Sequence, residues 1–157
     1  MQFPSLAQLK KELELLPEKE KVNLISDLAK FSRENKAYLF FKLQEKENPG
    51  YFLEMIKEEL DTEFQKSNAS HVYYAKKSAQ AIRRKLNKML KLSKKKEDQI
   101  EAIMYFCEQL KEYGYLQFNY PVIDNLYKIQ VEKVKKLILG LHEDLQYDFE
   151  MRLQDLE

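Results

Sequence analysis

Apolar positions recur along almost the whole chain at intervals of three and four, the period of an α-helix with one buried face. Leu6, Leu9, Leu13 and Leu16 form the first such stripe, and Ser5-Leu6-Ala7-Gln8 reads as a capping box. Pro17 ends that helix and suits the first turn of the next, whose expected buried face is Val22, Ile25, Leu28 and Ala29. Ser32 can cap a third helix carrying Leu39, Phe40 and Leu43, with Tyr38 and Phe41 alongside. Asn48-Pro49-Gly50 is the clearest turn, and Phe52, Met55, Ile56, Leu60 and Phe64 follow it at helical spacing.

The polar run Ser67-Asn68-Ala69-Ser70 breaks the pattern. Val72, Ala75, Ala79, Ile82, Leu86 and Met89 then give the most regular helix, and its small alanines predict close packing. Lys94-Lys95-Lys96 reads as a solvated connector. Ile100, Ile103, Met104, Cys107 and Leu110 form the next stripe, ending near Gly114. After the aromatic, irregular stretch Tyr115 to Tyr120, Pro121 can open the last helical region. That region carries Leu126, Val134, Ile138, Leu141, Leu145, Phe149 and Leu156, with a break expected between Gly140 and Asp144 because a 35-residue helix is rare in a small domain.

These segments predict an all-α fold of seven or eight helices, a single domain over 1–157. Short connections favour antiparallel neighbours, grouped as hairpins over 5–31, 33–66, 71–113 and 121–156. Such lengths are in the range of helical repeats, so a HEAT- or ARM-like array of hairpins is the expected architecture and a compact irregular bundle the alternative. The tetratricopeptide pattern of Trp, Gly and Pro is absent, and the chain has no Trp.

Composition narrows the options. Only 3 Gly and 4 Pro in 157 residues argue against sandwiches, barrels and doubly wound folds, which need many turns. The single cysteine excludes an internal disulfide, and two histidines leave little for a His-based metal centre. No apolar run approaches the roughly 18 residues of a membrane span, and the first residues do not read as a secretory signal.

Charge changes the picture more. The net charge of +1 hides a strong asymmetry: residues 1–63 carry 10 basic and 13 acidic side chains, residues 64–96 carry 11 basic and none acidic, and residues 97–157 carry 6 basic and 13 acidic. A stretch without one carboxylate marks a candidate anion-binding face. On a single helix spanning 72–96, Lys77, Arg84, Lys88, Lys91 and Lys95 fall on one side, with Lys76, Arg83 and Lys94 on an adjoining one. Tyr73 and Tyr74 stand at its start, where aromatic rings can stack on bases. The competing reading is internal neutralisation by acidic neighbours.

Enzyme templates are missing: there is no glycine-rich phosphate loop, HExxH, Gly-x-Ser-x-Gly or CxxC. Cys107 falls on an apolar stripe, where a thiol behaves as a small hydrophobe. Glu58, Glu59, Asp61 and Glu63 read as an exposed acidic face. In Leu141-His142-Glu143-Asp144-Leu145-Gln146-Tyr147-Asp148, Asp144 and Asp148 share a helix face, and Asp144 can cap the last helix. A ligand or weak metal site around His142, Asp144 and Asp148 is the least favoured functional reading.

The Leu6-x-x-Leu9…Leu16-Pro17-x-x-Glu20…Ile25-x-x-Leu28-Ala29 pattern, the Tyr73-Tyr74-Ala75-Lys76-Lys77-Ser78 stretch and the Leu141–Asp148 segment resemble a family of small all-helical bacterial proteins of unknown function, seen mostly in Bacteroidota. The resemblance implies a cytoplasmic bacterial protein and brings no activity, ligand or site residue. The expectation is therefore a non-enzymatic helical module, with no cofactor and no metal. It binds an acidic macromolecular partner through the basic helix: a protein in the first reading, a nucleic-acid backbone in the alternative.

Overall fold

Helix boundaries fall where local chemistry satisfies the unpaired backbone groups at each end. The computed structural model describes residues 1–157 and holds eight α-helices and no strand. They are α1 (Leu6–Leu15), α2 (Glu18–Phe31), α3 (Arg33–Glu47), α4 (Tyr51–Lys66), α5 (Val72–Met89), α6 (Lys96–Glu112), α7 (Pro121–Leu139) and α8 (Glu143–Gln154). Short 3-10 turns follow α5 at Leu90–Leu92 and α6 at Tyr115–Phe118. The all-α class, the count of eight and the break after Gly140 all agree with the periodicity. No helix is long and apolar enough to cross a membrane.

The caps are partly those expected. Ser5 and Gln8 form the capping box, with Gln8 Oε1 accepting from the Ser5 N–H at 2.8 Å. Ser32 Oγ accepts from the Asn35 N–H at 3.0 Å and starts α3. At the Asn48-Pro49-Gly50 turn, Gly50 takes φ +95°, a left-handed conformation that suits glycine. The first turn of α4 is capped from outside, by the Glu45 carboxylate, which accepts from the N–H groups of Gly50 (3.1 Å) and Phe52 (2.8 Å).

The chain forms two units, residues 1–44 and 45–157. In the first unit no residue of α1, α2 or α3 is buried. The expected buried faces of α1 and α2 are open instead: Leu6 is 82 % exposed and Val22, Ile25 and Leu28 about half exposed. The hairpin expected over 5–31 therefore does not close on a core of its own, because α1 and α2 are not packed closely along their lengths.

The second unit holds the core. α6 supplies its centre, with Ile100, Ala102, Ile103, Met104, Phe106, Cys107 and Leu110 all buried. It packs on α4, α5 and α7, while α8 packs on α7, an arrangement that matches the compact-bundle expectation. Phe64 anchors an aromatic cluster, stacked on Tyr113 at 5.3 Å and edge-on to Tyr115 at 5.8 Å. Tyr115 is fully buried, and its hydroxyl finds the Ser67 hydroxyl at 2.7 Å. The last turn is tied down by the Tyr127 hydroxyl, which donates to the Leu156 carbonyl at 2.6 Å, and by the Lys111 ammonium on the Asp155 carbonyl at 2.6 Å.

Candidate interaction face on the fifth helix

The sequence of α5 divides cleanly by face. Ala75, Ala79, Ile82, Leu86 and Met89 are buried against α4, α6 and α7. Tyr73, Tyr74, Lys77, Ala81, Arg84 and Lys88 are exposed, and the helix carries no carboxylate. Spacings of four and three keep Lys77, Ala81, Arg84 and Lys88 on one side. His71 starts the helix: its Nδ1 accepts from the Tyr73 N–H at 3.2 Å.

The basic stripe is shorter than the periodicity predicts. The single helix expected over 72–96 ends at Met89. Lys91 sits on the 3-10 turn, and Lys95 lies at the N-cap of α6, where its ammonium pairs with the Asp98 carboxylate at 3.6 Å. The turn is held by Gln99, whose side-chain amide donates to the Ser93 carbonyl at 2.8 Å, and by Ser93, whose hydroxyl donates to buried Asp98 at 3.2 Å. Lys94-Lys95-Lys96 is thus not simply a solvated connector: the Lys96 ammonium donates to the Gly140 carbonyl at the C-terminus of α7, at 2.8 Å. A cation there is favoured by the unpaired carbonyls and the helix dipole.

Neutralisation reaches only part of the basic segment. Lys85 pairs with Glu59 and, at 2.8 Å, with Glu63, both from α4. Burial alone would lower the Lys85 pKa, but the hydrogen bonds and charges of these two carboxylates outweigh it and hold the ammonium above its usual range. Asp61 accepts a short hydrogen bond from the Tyr105 hydroxyl. The acidic face expected at Glu58, Glu59, Asp61 and Glu63 is therefore half-buried between helices, with only Glu58 exposed. Arg83 is half-buried and turns toward a shallow groove of about 300 Å³ between α5 and α7, beside Val122 and Ile129. Arg84, Lys88 and Lys91 have no ion-pair partner within 4.0 Å.

At the N-terminal end, the Lys77 ammonium lies 4.5 Å and that of Lys76 5.7 Å from the centre of the Tyr73 ring. The hydrogen bond and charge of Lys77, with the charge of Lys76, hold the Tyr73 phenol below its usual pKa. Tyr74 stands edge-on to Tyr73 at 5.5 Å and is about half exposed.

The second candidate cluster resolves differently. His142 is the N-cap of α8, its Nδ1 accepting from the Asp144 N–H at 3.4 Å, so the histidine takes the capping role expected of Asp144. Asp144 lies 3.4 Å from His142 with its side chain 90 % exposed. No group of three or more His, Cys, Asp or Glu side chains stands close enough to hold a metal ion, so Asp148 does not complete a site with this pair. Cys107 is fully buried, and burial, then the Glu108 charge, pushes its thiol up to about 12.

No family model, curated protein or solved structure matches this chain.

Proposed function

We propose that the protein is a non-enzymatic helical interaction module that holds an acidic macromolecular partner on the outer face of α5, in a bacterial cytoplasm. One observation carries the reading: Arg84, Lys88 and Lys91 are exposed and unpaired on a segment without carboxylates, although acidic α4 lies against the same helix and captures Lys85. Internal neutralisation reaches Lys85 and leaves these three cations to solvent.

An acidic protein segment is favoured over nucleic acid by the state of Tyr73. One face of its ring already meets the Lys77 ammonium, and Tyr74 packs edge-on against both Tyr73 and His71, so neither half-exposed tyrosine is a fully open stacking platform. Single-stranded nucleic acid usually gains from several stacked bases. The nucleic-acid reading rests on Tyr74 beside the same cations.

The test is a binding titration of poly-glutamate, heparin and single-stranded RNA at about 50 mM salt, with the Arg84→Gln/Lys88→Gln/Lys91→Gln variant alongside. The reading expects poly-glutamate binding that the variant loses, with an unchanged melting temperature because exposed charges contribute little to folding. RNA binding that weakens roughly tenfold or more in Tyr74→Ala would favour the nucleic-acid reading. Absence of binding to all three polyanions would refute both.

A further inference from the structure

We infer that the groove between α5 and α7 binds the α-carboxylate end of an N-acylated aliphatic amino acid, the group that a peptide C-terminus or a free N-acyl amino acid presents. None of the exposed cations Arg84, Lys88 and Lys91 lines this groove.

Helical spacing builds the site from two sides. Gln80 and Arg83 stand one turn apart on α5. Val122, Leu126 and Ile129 follow one another at four and three on α7, with Asn125 and Gln130 beside them. No carboxylate lines the groove. Its volume of about 300 Å³ is at the lower end of ligand sites, enough for one small molecule or the end of a chain.

The polar groups of the groove lack partners, and what they lack defines the ligand. Gln130 is only 2 % exposed, and its Oε1 is closed to solvent with no hydrogen-bond donor. A buried amide in that state costs free energy, and a methionine would fill much the same volume without the cost. The half-buried Arg83 guanidinium makes no ion pair and no hydrogen bond, and the side-chain amides of Gln80 and Asn125 are unpaired as well.

A guanidinium fork matches a planar carboxylate, and the carboxamides can both donate and accept. An α-carboxylate on Arg83 brings its neighbouring N–H to the same groove. Gln130 Oε1 meets that N–H once the amide turns about its terminal torsion, which is broad and nearly two-fold. The aliphatic side chain then covers Val122, Leu126 and Ile129. Inorganic phosphate would leave this apolar wall bare, and a plain hydrocarbon would leave Arg83 unpaired.

The experiment is an amide NMR titration of the full chain with N-acetyl-leucine, the tripeptide N-acetyl-Gly-Gly-Leu and N-acetyl-leucinamide. Both carboxylates should bind with a dissociation constant on the order of 1 mM, as expected of ligands this small. Shifts should centre on residues 80–84 and 122–130, including the Gln130 side-chain amide. Leucinamide, which has no carboxylate, should bind about tenfold more weakly or worse, and Arg83→Gln should weaken both carboxylates to the same extent. Gln130→Met should weaken them several-fold without lowering the melting temperature, whereas a purely structural glutamine would lower it. Arg84→Gln/Lys88→Gln/Lys91→Gln should bind as the parent does, which separates this site from the outer basic face. Tighter binding of the tripeptide identifies a peptide end as the source, and equal binding identifies the free N-acyl amino acid. Absence of shifts with about 20 mM of either carboxylate would overturn the proposal. So would equal binding of the leucinamide, or loss of binding in the Arg84/Lys88/Lys91 variant.

Discussion

Replacing Ala79 by Leu forces an isopropyl group into a part of the core closed to solvent. Ala75 and Ala79 are fully buried on the face that α5 turns to its neighbours, in line with Ile82 and Leu86, which are also closed to solvent. Interiors at this density have no spare volume, so the larger side chain must leave its rotamer or push the helix outward, at a cost of about 1–3 kcal/mol. The unfolding entropy is about 2.1 cal/mol/K per residue. For the 45–157 unit this is about 4 °C per kcal/mol, and the expected fall in melting temperature is about 4–12 °C. Ala81→Leu is the control: Ala81 is on the same helix but exposed, so its cost should stay within about 0.5 kcal/mol, or about 2 °C. Thermal unfolding followed by circular dichroism, repeated in urea to confirm an unchanged slope, reads both variants. If Ala79→Leu melts within the range of Ala81→Leu, the assigned register of α5 and the packing argument are both wrong.

Further predictions rest on other contacts. Cys107 should resist thiol reagents in the folded protein and react only as the chain unfolds, because it is fully buried. Its folded pKa of about 12 is above the unfolded value, so its contribution to stability is complete below about pH 9 and is lost as the pH rises toward 12. Urea titrations at pH 9 and pH 11 should show a decline that Cys107→Ala lessens by up to about 1.4 kcal/mol per pH unit. Glu45→Ala removes the side chain that caps α4 and should cost about 0.5–2 kcal/mol in urea denaturation, whereas Glu47→Ala should be near neutral. Lys96→Met breaks the contact with the Gly140 carbonyl and should lower stability by about 0.3–1 kcal/mol, an effect that shrinks in high salt if Lys96 acts on the end of α7.

The sequence pattern was enough to find every helix, because most apolar stripes repeat at three and four for about two turns or more and α3 is bounded by the Ser32 cap and the Asn48-Pro49-Gly50 turn. It also located the α7–α8 break, since Gly140 and the polar His142-Glu143-Asp144 run interrupt a stripe that otherwise continues. The end of α5 was not legible. Leu86, Met89 and Leu90 continue an apolar run, and the stop is imposed by Ser93 and Gln99, whose partners are five to nine residues away in sequence. The histidine caps were missed because histidine is not among the preferred N-cap residues, although His71 and His142 each stand immediately before a helix. Glu45 was missed for a related reason: its carboxylate reaches across the turn to a helix it does not belong to. Most instructive are Leu6, Val22 and Leu28. Periodicity shows which side of a helix is apolar, but it carries no information on whether anything covers that side.

The division of α5 into two faces bears on how this protein can change. Ala75, Ala79, Ile82, Leu86 and Met89 are constrained by packing, whereas Tyr74, Lys77, Ala81, Arg84 and Lys88 are not. The two groups share no residue. Substitutions can therefore accumulate on the outer face with little penalty to folding. A library randomised at Tyr74, Lys77, Ala81, Arg84 and Lys88 should yield mostly folded variants, so this face can be edited separately from the core it covers.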